Sequence, residues 1–256
     1  MPQKTMPISL QNKIVLVTGS SRGIGAGIAH AFIKDGAHVI GIARTASELS
    51  AENYHPINFD LGAASAESLN KLVTDIIAKF GRIDALINNA GIIRRSLAVD
   101  FTEADWNDVM RVNLTSPFFL TQAVAKWWLK SGGKDQSTSR LKIVNIASLL
   151  SFQGGILVPA YAASKHGIAG ITKALANEWA PLRINVNAVA PGYVETENTA
   201  ALRADPARNQ SILSRIPQGA WAQPNDIAGA CVFLASDNAD YINGAILNVD
   251  GGWLAR

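Results

Sequence analysis

Thr18-Gly19-Ser20-Ser21-Arg22-Gly23-Ile24-Gly25 is the stretch of sequence that decides the fold. A short apolar run, Lys13 to Val17, precedes it, and a helical pattern from Ala26 to about Lys34 follows it. Glycines between a strand and a helix let the backbone turn tightly and come close to a phosphate, which the free N–H groups of the helix attract. The glycines therefore predict a dinucleotide site, and the alternative is that they serve only the turn.

Strand and helix patterns alternate along the rest of the chain without a linker. We predict further strands at Ala37–Ile42, Pro56–Leu61, Asp84–Ile87, Leu141–Ile146, Ile184–Ala190 and Ala245–Val249. We predict helices at about Ala66–Phe80, Thr102–Leu129, Tyr161–Ala180 and Pro224–Ala235, with a polar helical stretch at Glu195–Ile216. This alternation predicts one α/β domain over residues 1–256, with a doubly wound, mostly parallel sheet of about seven strands.

The second half of the chain carries a possible acid–base group. In Tyr161-Ala162-Ala163-Ser164-Lys165, the Tyr and the Lys lie four residues apart and share one helix face. An ammonium near a phenol lowers the pKa of the phenol and makes it a better base. Ser148 follows the apolar run ending at Ile146, at the edge of the sheet where α/β proteins bind ligands. Alone, the Tyr–Lys spacing is more often a surface pair, and Ser148 together with the glycine motif favours catalysis.

Together these residues resemble the short-chain dehydrogenase/reductase family, and the resemblance covers nearly the whole chain. The glycine spacing Gly-x-x-x-Gly-x-Gly is the form typical of that family. The resemblance implies a Rossmann-like fold and an oxidoreductase that uses NAD(P), with Ser148, Tyr161 and Lys165 as the catalytic set. It also implies that Asn113 helps to anchor Lys165 through a water molecule and extends a proton relay. The cofactor half would span about residues 1–130 and the catalytic half about 140–256.

The same resemblance implies a set of cofactor contacts on the loops that follow the strands. The implied residues are Gly19, Ser21, Arg22, Gly23, Ile24, Gly25, Arg44, Asp60, Leu61, Asn89, Ala90, Gly91, Tyr161, Lys165, Pro191, Gly192, Val194 and Thr196. Asp60 would lie against the adenine; alternatively it caps the following helix, for which Ser65 is the better candidate.

The end of the second strand indicates which cofactor is used. A carboxylate there would bond the adenosine ribose and repel a 2′-phosphate, whereas this chain has Ala43-Arg44, with Arg22 nearby in the glycine loop. Two guanidinium groups can hold a phosphate. We therefore favour NADP(H) over NAD(H), and a solvated Arg44 with NAD(H) as cofactor is the alternative.

The substrate residues are less marked. Arg94 or Arg95 is a candidate for holding a carboxylate, although adjacent arginines are more often solvated. Gln153 lies between Ser148 and Tyr161 in the sequence. Asn198 lies in the polar stretch Glu195–Ile216, which the family resemblance implies is a mobile lid. Three segments resemble a sugar-acid branch of the family, namely Ser151-Phe152-Gln153-Gly154-Gly155, Asn177-Glu178-Trp179-Ala180 and the tail from Gly251.

We therefore expect a sugar acid of the 2-keto-3-deoxygluconate or gluconate type as substrate. One alternative is a 3-oxoacyl thioester reductase of the same family, whose pocket would be a long apolar trough. A second alternative is a nucleotide-binding interaction protein without catalysis, which the complete catalytic set argues against. A structural role of the long helices is compatible with catalysis, because helices at these positions pack between subunits in tetramers of the family. We therefore expect a homotetramer.

Composition excludes several other classes. The net charge of +3 is too balanced for a nucleic-acid or anionic-membrane partner. The single cysteine, Cys231, lies in an apolar helix and allows no internal disulfide. The segment Met1–Ser9 lacks a signal-peptide pattern, and no apolar run reaches about 20 residues. We expect a cytoplasmic protein with no metal, and a surface loop at Ser131–Arg140.

Overall fold

The computed structural model describes residues 10–135 and 139–255. Its centre is a seven-stranded sheet with the strand order β3-β2-β1-β4-β5-β6-β7, in which every neighbouring pair is parallel. The strands are β1 (Ile14–Thr18), β2 (His38–Ala43), β3 (Tyr54–Asn58), β4 (Ala85–Asn88), β5 (Leu141–Ile146), β6 (Ile184–Pro191) and β7 (Ile246–Val249). The predicted doubly wound α/β fold is confirmed, because the order reverses between β1 and β4.

Helices cover both faces of this sheet. They are α1 (Gly23–Lys34), α2 (Ala66–Phe80), α3 (Glu103–Met110), α4 (Ser116–Lys130), α5 (Pro159–Trp179), α6 (Ala200–Ala204), α7 (Pro206–Leu213) and α8 (Pro224–Ala235). Apolar side chains of α2, α4 and α5 form one core layer with the strands, and those of α1 and α8 form the other. The central strands β1, β4, β5 and β6 are buried along their whole length, which explains their largely apolar sequences, whereas the edge strands β3 and β7 are partly exposed.

Several predicted elements differ from the structure, and three of the differences lie near the cleft. The third strand ends at Asn58 and not at Leu61, so Phe59 and Asp60 lie beyond the sheet. Helix α1 begins at Gly23 and not at Ala26, because the last glycines of the motif form its first turn. The predicted helix Thr102–Leu129 is divided by a π-helical turn, Arg111–Thr115, between α3 and α4.

Two further predictions concern a helix cap and a loop. Ser65 caps α2, with its hydroxyl accepting from Ser68 N at 3.1 Å, so the alternative cap, Asp60, is wrong. Asp60 accepts instead from Gly62 N at 2.8 Å. Within the predicted loop, residues 131–135 form turns that include a 3-10 segment, Gly133–Asp135, and residues 136–138 lie outside the described part of the chain. The segment Met1–Ser9 also lies outside it.

Within residues 10–135 and 139–255, none of the helices has the length and apolar character that crossing a lipid bilayer requires.

Candidate active site

A cleft of about 890 Å³ opens at the carboxyl edge of the sheet, where the loops after β1, β2, β3 and β4 meet α5. Most of the predicted cofactor residues line it. They are Gly19, Ser21, Arg22, Gly23, Ile24, Gly25, Arg44, Asp60, Leu61, Asn89, Ala90, Gly91, Tyr161, Lys165 and Thr196. The cleft lies beside the point where the strand order reverses, which is where parallel α/β sheets bind ligands.

Three predicted cofactor residues do not line this cleft. Pro191 is the last residue of β6 and is buried, and the Val194 side chain is also buried. Gly192 lines a second, smaller cavity of about 260 Å³ on the other side of the β6 end. The structure therefore brings fifteen of the eighteen predicted cofactor residues together at the cleft and leaves these three outside it.

The glycine turn forms a cradle in which the backbone itself is the surface. Gly19 has a φ of +66°, and a Cβ there would stand 2.9 Å from the Ala90 Cα. A Cβ at Gly25 would collide with the carbonyl oxygen of Gly19. No side chain caps the start of α1, so its first N–H groups remain available to an anion. This cradle fits the pyrophosphate of a dinucleotide.

Hydrogen bonds join the ends of β1 and β4 beneath the cradle. Thr18 Oγ1 accepts from both Asn89 N and Ala90 N at 3.0 Å. Asn89 Nδ2 donates in return to Thr18 O at 2.9 Å and to Gly19 O at 3.2 Å. The segment Asn88-Asn89-Ala90-Gly91, which begins at the end of β4, therefore fixes the position of the glycine turn.

The end of β2 presents cations and hydroxyls. Arg44 is exposed, and among the described residues no side chain is paired with its guanidinium. Ser21 Oγ and Thr45 Oγ1 lie 3.1 Å apart beside it. Arg22 forms an ion pair with Glu197 at 2.5 Å, with both side chains largely exposed. This group of donors fits a phosphate better than the diol of a ribose.

The three predicted catalytic residues lie near one another, and two of them, Tyr161 and Lys165, line the cleft. Ser148 follows β5 and caps a short turn, with its hydroxyl accepting from Leu150 N at 3.1 Å. Tyr161 and Lys165 occupy successive turns of α5, and both line the cleft. Ser148 lies near enough to the phenol for its side chain to lower the pKa of Tyr161. A phenol, a hydroxyl and an ammonium around one space can exchange a proton with a substrate oxygen and hold that oxygen.

The electrostatics of this group differ from the sequence prediction. Burial raises the pKa of Tyr161, and the groups that oppose this rise are Ser148 and the positive charge of Arg95. Burial also lowers the pKa of Lys165 to about 8. The Lys165 Nζ donates to Ile146 O at 2.7 Å and lies 5.5 Å from the centre of the Tyr161 ring. Lys165 is not among the groups that shift the pKa of Tyr161.

Asn113 is buried in the π-helical turn and uses its whole amide. Its Oδ1 accepts from Ile92 N at 2.8 Å, and its Nδ2 donates to Ile92 O at 2.9 Å and to Ser164 Oγ at 3.2 Å. Ser164 Oγ in turn donates to Tyr161 O at 2.8 Å. Asn113 therefore connects the loop after β4 with the catalytic helix, and its predicted link to Lys165 through water stays a prediction.

The two adjacent arginines have different environments. Arg94 forms ion pairs with Asp105 and Asp108 on α3, both at 3.3 Å. Arg95 Nη2 donates to the backbone carbonyl of Asn198 at 3.1 Å, and its charge acts on Tyr161. Arg94 lines the cleft, and Arg95 is not among the lining residues. Among the described residues, however, Arg95 has no carboxylate partner, and its charge acts on the phenol.

Of the other predicted substrate residues, Asn198 lies at the cleft and Gln153 lies outside it. Asn198 lines the cleft and bonds Arg95 through its backbone. Gln153 lines neither cavity, and its Oε1 accepts from Trp253 Nε1 at 3.3 Å. Trp253 belongs to an aromatic cluster with Tyr193 and Trp221.

Sequence reasoning missed two contributors. Thr45 directly follows Arg44, and its hydroxyl was the signal to notice. Trp253 was recognised only as part of a tail motif. Its indole N–H was the signal, because a buried indole N–H usually has a hydrogen-bond acceptor.

Comparison with known families agrees with this geometry. A family model described as enoyl-(acyl carrier protein) reductase matches residues 19–254. Together with the parallel sheet, the glycine cradle and the relatives below, this match shows that the chain belongs to the short-chain dehydrogenase/reductase family. It is an oxidoreductase of the kind that uses NAD(P).

Individual relatives are similar over nearly their whole length. The chain is 50% identical to 2-dehydro-3-deoxy-D-gluconate 5-dehydrogenase of Bacillus subtilis strain 168 over 254 residues, which are 97% of each chain. It is 39% identical over 251 residues to the 3-oxoacyl-[acyl-carrier-protein] reductase FabG of Vibrio cholerae, with 96% of this chain and 98% of that protein covered.

Two solved structures share the fold. One, from Agrobacterium tumefaciens, is provisionally described as a 2-deoxy-D-gluconate 3-dehydrogenase with bound NADP; its TM-score is 0.85 at 52% identity, over 98% of this chain and 99% of that chain. The other is a gluconate 5-dehydrogenase from Burkholderia cenocepacia in complex with NADP and tartrate. Its TM-score is 0.87 at 33% identity, over 97% of this chain and 98% of that chain.

Substitution of Gly25 tests the cradle. In Gly25→Ala the new methyl group collides with the Gly19 carbonyl, so we expect cofactor affinity to fall on the order of tenfold or more. Fluorescence titration with NADPH measures this. Gly229→Ala on α8 is the control, because a Cβ there meets nothing within 4 Å and its affinity should equal that of the wild type. Equal affinity in the Gly25 variant would contradict the assigned cradle.

Proposed function

We propose that the chain catalyses reversible hydride transfer between NADP(H) and a secondary alcohol or ketone of a sugar acid of the 2-keto-3-deoxygluconate or gluconate type. The observation that carries this proposal is the phenol of Tyr161, which lines the cleft, stands beside Ser148 and has a pKa whose rise on burial is opposed by the positive charge of Arg95. Such a site combines acid–base chemistry with recognition of an anion. The names of the similar enzymes support the same substrate class.

The cofactor proposal rests on the two ends of the cleft. The cradle around Gly19 and Gly25 would hold the pyrophosphate, and Arg44 with the Ser21–Thr45 pair would hold the 2′-phosphate of NADP. Both solved structures described above contain NADP, which supports this preference over NAD. When bound, the nicotinamide supplies or accepts the hydride.

The protein side chains then manage the proton. In the oxidation direction, we propose that Tyr161 takes the proton of the substrate hydroxyl while Ser148 holds the same oxygen. In the reduction direction, the raised pKa of Tyr161 keeps its proton available near neutral pH. Lys165 places a buried positive group beside the ring, and Asn113 with Ser164 holds the start of α5 in position.

Arg95 is the proposed anchor of the substrate carboxylate. Its guanidinium has no carboxylate partner among the described residues, whereas Arg94 is neutralised by Asp105 and Asp108. A charge-assisted bond to Arg95 would fix which hydroxyl of the sugar acid reaches Tyr161. The charge of Arg95 would also favour the phenolate form of Tyr161 in oxidation.

A 3-oxoacyl thioester reductase is the second candidate, because FabG is a relative and the matching family model carries an acyl-carrier-protein name. The cation near the phenol favours the sugar-acid proposal, because a 3-oxoacyl chain offers no carboxylate to it. A panel of aldonic and 2-keto-3-deoxy acids and a 3-oxoacyl thioester, each with NAD and with NADP, decides between them. Turnover of the thioester alone would reject the sugar-acid proposal.

Assembly and location remain part of the proposal. We propose a cytoplasmic homotetramer that uses the outer faces of the α3–α4 and α5 helices, and Trp106 on α3 is an exposed aromatic residue suited to such a contact. We also keep the division into a cofactor half, about 1–130, and a catalytic half, about 140–256. Size-exclusion chromatography with light scattering measures the number of subunits.

Tyr161→Phe tests the proton-exchanging group. The substitution removes only the phenolic oxygen, so we expect turnover to fall roughly 10²- to 10⁴-fold with unchanged NADPH affinity. Steady-state kinetics and fluorescence titration measure the two quantities. A variant that keeps full turnover would refute the assigned role.

Arg95→Ala and Arg94→Ala form a matched pair. Loss of the anchor should raise the KM for the sugar acid roughly 10- to 100-fold in Arg95→Ala, since a bond to a charged group is lost. Arg94→Ala should change that KM little, because the Arg94 guanidinium is already paired with Asp105 and Asp108 on α3. Removal of the Arg95 charge also raises the pKa of Tyr161, so the alkaline part of the kcat/KM profile should move to higher pH. Equal effects of both variants would contradict the anchor.

Arg44→Ala tests the cofactor preference. We expect the KM for NADP⁺ to rise on the order of tenfold, because a guanidinium–phosphate bond is lost. NAD⁺ lacks the phosphate and serves as the internal control, so its KM should stay constant. A parallel rise for both cofactors would assign Arg44 a structural role instead.

A further inference from the structure

The carboxyl-terminal Trp253 has an environment that the proposed reaction does not explain. It is buried, and its ring contacts Tyr193 at a centroid distance of 4.9 Å. The guanidinium of Arg215 lies 4.1 Å from the centre of its ring. A cation on its face and a ring against its side hold the indole in one orientation. The direction of its single N–H is therefore fixed by packing.

That N–H points at Gln153. Trp253 Nε1 donates to Gln153 Oε1 at 3.3 Å, although the two residues are 100 positions apart in the sequence. An indole nitrogen is only a donor, so the amide must turn its oxygen toward it. The opposite orientation would place two donors against each other. The chemistry of the partner thus determines which end of the Gln153 amide faces the indole.

The consequence concerns the other end of the amide. Oε1 accepts from the indole, and for Nε2 the described residues provide no hydrogen-bond partner. The backbone of Gln153 is close to the site, because its N donates to Leu149 O at 3.2 Å, in the turn that Ser148 caps. Gln153 is half-buried, its backbone follows the turn that Ser148 caps, and its amide offers two N–H donors on the side away from Trp253.

We propose that Trp253 is a positioning residue, which orients Gln153 as a hydrogen-bond donor to an oxygen of the substrate. This inference rests on the proposed function. It also states which chemical group Gln153 would select, namely an acceptor oxygen such as one on the hydroxylated chain or the carboxylate of a sugar acid. A substrate with a donor-only group at that place would be rejected, because the donors would face each other.

A double-mutant cycle tests the coupling. Trp253→Phe removes the N–H and keeps an aromatic ring, and we expect the KM for the best sugar acid of the panel to rise about fivefold. Gln153→Ala should raise it by a similar factor, and the double variant should be no worse than Gln153→Ala alone. The KM for NADP⁺ should stay constant throughout. Additive effects, or a constant sugar-acid KM in Trp253→Phe, would overturn the proposal.

Trp221→Phe is the matched control. It removes an equivalent indole N–H, which donates to Asn209 Oδ1 at 2.8 Å, in the same aromatic cluster. If the KM change of Trp253→Phe came from general loosening of the cluster, Trp221→Phe would produce it too and would combine with Gln153→Ala in the same way. That result would also overturn the proposal.

A second measurement separates this inference from the proposed function. The indole N–H resonance of Trp253, assigned by its loss in Trp253→Phe, should exchange with solvent faster in Gln153→Ala than in the wild type. This holds whatever the substrate is. Unchanged exchange would overturn the contact itself. If Gln153 protects the Trp253 N–H from exchange but no sugar acid is turned over, the proposed function is rejected. The double-mutant cycle is then measured with the substrate that the panel identifies.

Discussion

Parallel pairing of all seven strands is the constraint on which the rest of the structure depends. Because the strands run in one direction, the loops that follow them all emerge at the same edge. The glycine turn after β1, Arg44 after β2, Asn89 after β4 and Ser148 after β5 are far apart in sequence and meet there. The site is thus a property of strand direction first and of individual side chains second.

Buried polar bonds turn this edge into a defined geometry. Asn113 grips the backbone of Ile92 with both ends of its amide and reaches Ser164, which holds Tyr161 O. The π-helical turn is what sets Asn113 in that position. Burial then acts in opposite directions on the two ionisable groups of α5: it raises the pKa of Tyr161 and lowers that of Lys165. Both shifts favour the neutral forms, and Ser148 and Arg95 oppose the shift of the phenol only in part.

Local patterns were enough for the fold class, and with the family resemblance they pointed to Ser148, Tyr161 and Lys165, which the structure places near one another. Apolar runs of the right length marked β5, α2 and α8 with the bounds that the structure has. Such runs report burial, and a strand buried on both faces leaves a continuous apolar signal. The glycine motif marked the cradle, because only glycine allows the close contact of Gly19 with Ala90 and of Gly25 with Gly19. The ends of the elements were less certain, as β3 and α1 show. Capping residues and glycines hide the position at which the hydrophobic periodicity of a strand or helix begins or ends.

What the sequence by itself determined is therefore the order of the elements and the kinds of chemical group at their ends. Only the tertiary structure decided which groups face one another. It distinguished Arg95 from Arg94, which are neighbours in sequence, by giving Arg94 two carboxylates on α3. It showed that burial raises the pKa of the Tyr161 phenol and that Ser148 and Arg95 oppose this rise, and it placed Trp253 against Gln153. The physical reason is the same in each case. Hydrogen bonds and charge interactions depend on distance and burial, and between residues distant in the sequence packing alone sets both.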